Sequence, residues 1–133
     1  MRNIFPLYWE SIKNCFKKYA VFSGRARRKE YWLFMLLYFI AMVVAGLFDD
    51  LVVGERVAFD STMGVFSWIV FLGLLIPSIA VSVRRLHDKN LRGWWFLLFL
   101  IPLIGTIALF ILYCMRGTDG ENRFGADPLA GVR

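Results

Sequence analysis

Three long runs without a charged residue constrain this chain more than any other feature of its sequence. They cover residues 31–48, 61–83 and 93–115 and are 18, 23 and 23 residues long. At about 1.5 Å of rise per residue, a helix over each run measures roughly 27–35 Å, enough to cross a hydrocarbon core of about 30 Å. Buried helices of a soluble bundle would keep a polar stripe, and none of these runs has one. The runs predict an all-α integral membrane protein with three transmembrane helices, with residues 1–133 forming a single membrane domain.

The distribution of lysine and arginine among the connecting segments predicts the orientation of the spans. Eight precede the first run, one lies in 49–60, four lie in 84–92 and three lie in the polar, loop-like tail 116–133. Cytoplasmic segments are enriched in these cations, so we expect a cytoplasmic N-terminus and alternating crossings from there. The tail has an intermediate count, and the third run contains Pro102 and Gly105. Two interpretations stay open: a kinked helix that crosses, or a re-entrant hairpin that returns the tail to the cytoplasm.

The segment 1–30 contains the pattern of a short amphipathic helix. Aromatic and apolar residues recur in it at three- and four-residue spacing, with lysines off that face. Such a helix lies in the lipid head-group layer with its aromatic side chains inward, or packs back on the cytoplasmic face of the protein. The predicted apolar face comprises Tyr8, Ile12, Cys15, Phe16 and Tyr19.

Two polar motifs, FSGRARRKE before the first run and SVRRLHDKN after the second, are expected on the same membrane face. Cations next to an anionic leaflet each contribute about 1 kcal/mol of attraction, and this alone explains most of the first cluster. Acids at membrane depth are costly unless paired, so Glu30 and Asp88 are predicted to pair with arginines and to tie the spans together. The candidates for binding head groups or a partner are Arg25, Arg27, Arg28, Arg84, Arg85 and His87. The expected interface anchors are Tyr31, Trp32, Trp94 and Trp95.

Catalytic and metal chemistry have little support in this sequence. His87 is the only histidine and adjoins Asp88, so a general base on a lipid-linked substrate is conceivable. Adjacent helical residues point about 100° apart, however, so the pair forms no dyad by itself. Cys15 and Cys114 lack metal-ligand spacing and are expected to be small apolar packing residues. We predict no catalytic residue, no metal and no cofactor.

The motifs together resemble a known family. FSGRARRKEYW, RRLHD, the following GWW, the IPLIG segment and GENRFGADP occur in this order between about Phe22 and Pro128. In this combination the chain is similar to small bacterial inner-membrane proteins of the YhaH/YhaI type, a domain-of-unknown-function family numbered 805. The resemblance implies a helical protein of the bacterial cytoplasmic membrane, and it supplies no activity or site residues.

Three classes of function remain at this point. The leading hypothesis is a non-enzymatic membrane protein whose cytoplasmic motifs engage anionic lipids or a membrane partner, with no role for nucleic acid. The alternative is a subunit of a small oligomeric transporter or channel, in which the small residues would let helices pack closely. The third is a membrane enzyme. The small residues considered for helix contact are Gly64, Gly73, Ser78 and Ser82.

Overall fold

The computed structural model describes residues 5–53 and 63–131, and the regular structure within these ranges is helical except for a single bridge pair. Helix α1 covers Phe5–Lys17, α2 covers Arg28–Val53, α3 covers Val65–Asp88 and α4 covers Ile104–Cys114. A 3₁₀ helix over Gly93–Leu100 lies between α3 and α4. The predicted connection 49–60 lies largely outside the described residues. The predicted all-α class is confirmed for the part of the chain that is described.

Two helices, α2 and α3, are long and apolar enough to cross a membrane. They pack against each other along their length, and the small residues Ala45 and Ala80 are buried. Large apolar side chains such as Phe39 and Ile69 remain exposed on their flanks. A soluble helix of this length would bury such side chains in its own core, so the exposed flanks are suited to lipid.

Asp49, close to the end of α2, caps the start of α3. Its carboxylate accepts hydrogen bonds from the backbone amides of Phe66 and Ser67, both at 2.9 Å, and from the Ser67 hydroxyl at 2.7 Å. The first amides of a helix have no intrahelical acceptor, so this carboxylate satisfies donors that would otherwise be orphaned. Gly64 allows the close approach, since a Cβ there would lie 2.1 Å from the Asp49 carboxyl carbon.

The third uncharged run does not form one helix. After the 3₁₀ helix the chain turns at Ile101–Leu103, where Leu103 adopts a φ of +65°, and α4 begins at Ile104. The two arms pack so closely that a Cβ on Gly105 would lie 1.7 Å from the Leu98 carbonyl oxygen. Eight 3₁₀ residues and eleven α-helical residues each give an arm about 16 Å long. Pro102 and Gly105 mark a hairpin, because the chain reverses at this point.

The tail folds back onto the C-terminal end of α3. The Thr118 amide and hydroxyl donate to the Asp88 carbonyl oxygen at 2.8 and 3.0 Å, and Arg123 donates to the Asn90 carbonyl at 2.7 Å. The tail therefore lies at the same end of the helices as Arg25, which contacts it directly. This differs from the alternating path predicted with three crossings, because the hairpin doubles back.

Helix α1 packs along α2 and α3. The hydroxyl of Tyr19, just after α1, donates to the backbone carbonyl of Gly73 in the body of α3. The end of α1 is therefore beside the spans rather than beyond their ends, which differs from both placements predicted for it. Trp9 and Phe16 remain largely exposed. The side chains of Tyr8 and Cys15 lie outside the described part of the structure.

Candidate functional site at the end of the two long helices

Asp88, the last residue of α3, is the centre of a buried cluster of charges. Its Oδ1 lies 2.9 Å from Nη2 of Arg25, and it also accepts a hydrogen bond from Nε of Arg25 at 3.0 Å. Its Oδ2 accepts a hydrogen bond from Nη1 of Arg85. Arg25, Arg85 and Asp88 are all buried. A single carboxylate thus neutralises two cations that water cannot solvate.

Arg25 also binds the tail. Its Nη1 donates to the carbonyl oxygen of Gly120 at 2.6 Å, and its Nη2 donates to that of Thr118 at 2.6 Å. A Cβ on Gly117 would lie 2.0 Å from an oxygen of the Asp88 carboxylate, so the tail backbone passes directly over the ion pair. The guanidinium therefore joins the segment before α2, the end of α3 and the tail.

Arg85 binds the end of the hairpin. Its Nε donates to the Tyr113 carbonyl oxygen at 3.3 Å, and its Nη2 donates to that of Met115. The last carbonyls of a helix have no intrahelical donor, and a cation at this position also complements the helix dipole. Arg85 consequently fixes the end of α4 to the end of α3.

Arg84 points to the start of α2. Its Nη1 lies 2.7 Å from Oε1 of Glu30, and its backbone carbonyl accepts a hydrogen bond from the Ala26 amide at 3.0 Å. The residue is 0% exposed, and its Nε and Nη2 have no hydrogen-bond partner in the described protein. Both acids singled out in the sequence, Glu30 and Asp88, thus contact an arginine of the other motif, whereas Arg27 is exposed.

The contacts of His87 hold neighbouring segments of the chain together. Its Nδ1 lies 3.1 Å from the Gly24 carbonyl oxygen, an acceptor, so this nitrogen carries the proton of that hydrogen bond. Its ring stacks on Phe124 with centroids 4.0 Å apart, and its backbone carbonyl accepts from the Asn122 amide group at 3.0 Å. Asp88 faces the two arginines instead. The two residues therefore do not form a catalytic dyad.

The start of α2 carries a group of three consecutive accessible cations. Arg27, Arg28 and Lys29 are exposed. Arg28 and Lys29 border a groove of about 560 Å³ between α2 and α4, whose other lining residues are Trp32, Leu33, Leu36 and Cys114. Cys114 is thus exposed rather than an internal packing residue. The six basic and histidine candidates divide into an internal set and an exposed set: Arg25, Arg84, Arg85 and His87 are internal, and Arg27 and Arg28 are exposed.

The predicted aromatic anchors also divide. Trp32, Trp94 and Trp95 are exposed, and their assignment as interface anchors stays a prediction. Tyr31 is only 7% exposed, and its ring lies 4.5 Å from that of Tyr113. It faces the hairpin rather than lipid, because α4 covers that side of α2.

Sequence reasoning missed the part played by the tail. Thr118, Asn122 and Phe124 contact the end of α3, and Asp127 organises the tail itself. The Asp127 carboxylate accepts hydrogen bonds from the amides of Leu129 at 2.9 Å and Gly120 at 3.0 Å, and these bonds lower the pKa of its carboxyl group. In the sequence of the tail, the available signal was a set of short polar side chains beside glycines. This pattern predicted turns but not the contacts of the tail with α3.

These features define a class: a helical membrane protein whose two long helices, hairpin and tail are joined at one end by buried arginines. The chain belongs to the family described as "Protein of unknown function (DUF805)", whose model matches residues 19–126. That range includes every residue of the cluster. The resemblance inferred from the motifs is therefore confirmed.

Curated relatives from Escherichia coli strain K12 support the membrane assignment. The chain is 46% identical to inner membrane protein YhaH over 84% of its own length and 90% of the relative. It is 40% identical to inner membrane protein YhaI, over 86% of this chain and 92% of the relative. It is 29% identical to uncharacterized protein YiiR, over 80% of this chain and 84% of the relative. No solved structure matches the chain significantly. The apolar helices and these relatives support localisation in the bacterial inner membrane.

Proposed function

We propose that this protein crosses the inner membrane twice, keeps the segment around Arg25 and its tail at the cytoplasmic face, and engages anionic phospholipid head groups through exposed cations. It acts without catalysis, since His87 and Asp88 are both occupied by structural contacts. The observation that carries the head-group role is the division of the arginines: one set is internal, and Arg27, Arg28 and Lys29 stay accessible.

The length of the hairpin supports two crossings rather than three. Each arm measures about 16 Å, roughly half of a hydrocarbon core of about 30 Å. The residues that follow the hairpin contact Arg25 and Asp88, which lie at the same end of the long helices. A hairpin of this kind enters and leaves on one membrane face.

The cation count supports the cytoplasmic side for that face. With a re-entrant hairpin, residues 25–30, 84–92 and 116–133 share one side and hold four, four and three lysines and arginines. The opposite side holds only Arg56 of the sixteen in the sequence. The intermediate count of the tail then agrees with the positive-inside rule, which the alternating path left unexplained.

The exposed cations are suited to anionic lipid by position as well as charge. Arg27, Arg28 and Lys29 lie at the start of a candidate span, beside the exposed ring of Trp32. Each cation near an anionic leaflet contributes about 1 kcal/mol of attraction. The three together supply enough to enrich anionic lipid around this end of the protein.

Reporter fusions test the topology. Green fluorescent protein folds in the cytoplasm, and alkaline phosphatase is active only in the periplasm, so each is fused after the tail in separate strains. We expect fluorescence and no phosphatase activity. Phosphatase activity without fluorescence would overturn the two-crossing arrangement.

Extraction of the protein with its surrounding lipid tests the head-group role. Wild type and the Arg27→Gln/Arg28→Gln/Lys29→Gln variant are isolated in polymer-bounded membrane discs, and the co-extracted phospholipids are quantified. We expect the anionic fraction to exceed that of the bulk membrane for wild type and to fall for the variant. A Lys13→Gln/Lys17→Gln/Lys18→Gln variant removes the same charge from the α1 segment and controls for net charge. Equal enrichment in wild type and the α2 variant would contradict the proposal.

A further inference from the structure

We infer that the groove between α2 and α4 is a binding site for one anionic phospholipid, with the phosphate at Arg28 and Lys29 and an acyl chain along Leu33 and Leu36. The inference rests on the proposed function, to which it adds a defined site and a ligand class. A general attraction of anionic lipid requires only charge near the membrane. A site requires cations and an apolar lining in the same groove, and this groove has both.

The groove is charged at one end and apolar along the rest. Arg28 and Lys29 occupy the first turn of α2, while Leu36 lies about 11 Å further along the helix axis. Leu36 is 54% exposed on the flank of a candidate span, where acyl chains run. The cations and the positive end of the α2 dipole coincide with the level of a lipid phosphate. The order of chemistry along the groove is that of a phospholipid from head group to chain.

The second wall of the groove belongs to the hairpin. Nη1 of Arg28 lies 3.4 Å from the Cys114 carbonyl oxygen, and the rings of Trp32 and Phe110 meet edge to face with centroids 5.6 Å apart. Cys114 is the lining residue that α4 contributes, so the groove is complete only while α4 is packed on α2. A lipid seated in it contacts both elements, so its binding stabilises the packing of the hairpin against the first span.

Charge and surface together select the occupant. A free anion such as phosphate would use Arg28 and Lys29 but would leave the apolar lining in contact with water or lipid. A zwitterionic lipid would cover the apolar lining, but its choline or amine group would weaken the attraction to the two cations. An anionic phospholipid satisfies both parts of the groove.

Native mass spectrometry of the purified protein titrated with phosphatidylglycerol tests the site. We expect one tightly held lipid on wild type and weaker binding of phosphatidylcholine. At about fivefold in affinity per cation, Arg28→Gln/Lys29→Gln should weaken the phosphatidylglycerol adduct by roughly 25-fold. Soluble glycerol 3-phosphate in excess should not displace the lipid, because it lacks the acyl chains.

A pair of neighbouring substitutions provides the steric control. Leu36→Trp fills this groove and leaves both cations in place, whereas Leu37→Trp fills a separate groove of about 540 Å³ that Leu37 lines together with α1. We expect Leu36→Trp to lose the discrete lipid and Leu37→Trp to keep it. Equal behaviour of the two variants, or equal binding of phosphatidylcholine and phosphatidylglycerol, would overturn the inference. If Leu36→Trp does not fold, the inference is tested by comparing phosphatidylglycerol binding between wild type and the Arg28→Gln/Lys29→Gln variant.

The two proposals can fail separately. If wild type carries no discrete lipid but still enriches anionic lipid in membrane discs, the site is wrong and the general role stands. If Leu36→Trp loses the discrete lipid and keeps the enrichment, both proposals are supported. If the discrete lipid is present without any enrichment, the site stands and the general role fails.

Discussion

The guanidinium of Arg25 and the carboxylate of Asp88 lie 2.9 Å apart, although 63 residues separate them in the chain. One precedes the first long helix and the other ends the second. Both are buried, so each charge depends on its protein partners for solvation. The contact closes one end of the α2–α3 pair, just as Asp49 closes the other end by capping α3.

Asp88→Asn should be strongly destabilising. The substitution keeps the shape of the side chain but leaves Arg25 and Arg85 without a countercharge in a buried cluster. Removing one member of a buried ion pair costs about 3–5 kcal/mol, and thermal unfolding in a mild detergent would measure the loss. The control is Asp119→Asn, whose side chain is 68% exposed opposite Arg116 and whose loss should cost less than about 1 kcal/mol. Similar unfolding temperatures for the two variants would contradict the role assigned to Asp88.

The Glu30–Arg84 pair should respond asymmetrically to single substitutions. Glu30→Gln leaves the fully buried Arg84 charge unneutralised, whereas Arg84→Met removes the charge and the two nitrogens that lack a hydrogen-bond partner among the described residues. Glu30 keeps some exposure and further interactions when the arginine is lost. We therefore expect Glu30→Gln to be the more destabilising, by about 1 kcal/mol or more. Thermal unfolding of both single variants and the double variant measures this, and the reverse order would refute it.

Gly117→Ala should release the tail. The added methyl group would lie 2.0 Å from the Asp88 carboxylate, which two arginines hold in place, so the tail backbone must move. We expect faster trypsin cleavage after Arg116 in the folded protein. Gly46→Ala is the matched control, because a Cβ at that position in α2 meets nothing within 4 Å. An unchanged cleavage rate for Gly117→Ala would mean that the tail accommodates the methyl group without leaving α3.

Asp49→Ala should weaken the junction between α2 and α3. It removes the acceptor of two backbone amides and one hydroxyl, at a cost of about 1–3 kcal/mol. The neighbouring Asp50→Ala removes the same charge from an exposed position and should change stability little. Thermal unfolding again distinguishes the two. Equal effects would show that local charge, rather than the cap, matters at this end.

The two long helices could be predicted from the sequence because their signal is local. A run of 18 or 23 uncharged residues predicts a span from its length alone, whatever it packs against. The helices extend past the runs, however: α2 begins at Arg28 and α3 continues through Asp88. Within these extensions, Glu30 pairs with Arg84 and Asp88 pairs with Arg25, and such partners from other segments cannot be read from hydropathy.

The local sequence of the third run, residues 93–115, does not determine its fold. Pro102 and Gly105 indicated a break, and both a kinked span and a hairpin agreed with them. The choice depends on the Leu98 carbonyl oxygen approaching Gly105 too closely for any side chain. That contact joins two arms of the same run, so it belongs to tertiary packing rather than to periodicity.

The cluster itself was only partly predictable. The need of Glu30 and Asp88 for cationic partners follows from burial at membrane depth, and the arginine motifs were visible. The contribution of the tail was not, because Arg25 binds backbone carbonyls at Thr118 and Gly120, and a carbonyl is present at every position of every chain. Only the fold determines which carbonyls reach the guanidinium.

The bonds from Arg25 to the tail also set an order of events in biosynthesis. Arg25 emerges from the ribosome before either long helix, whereas Thr118 and Gly120 emerge after the hairpin, 93 and 95 residues later. Both long helices and the hairpin must therefore be synthesised before this guanidinium acquires its full set of acceptors. A chain interrupted before the tail keeps the arginines and lacks those acceptors. Completion of the cluster thus distinguishes a finished molecule from one interrupted before the tail.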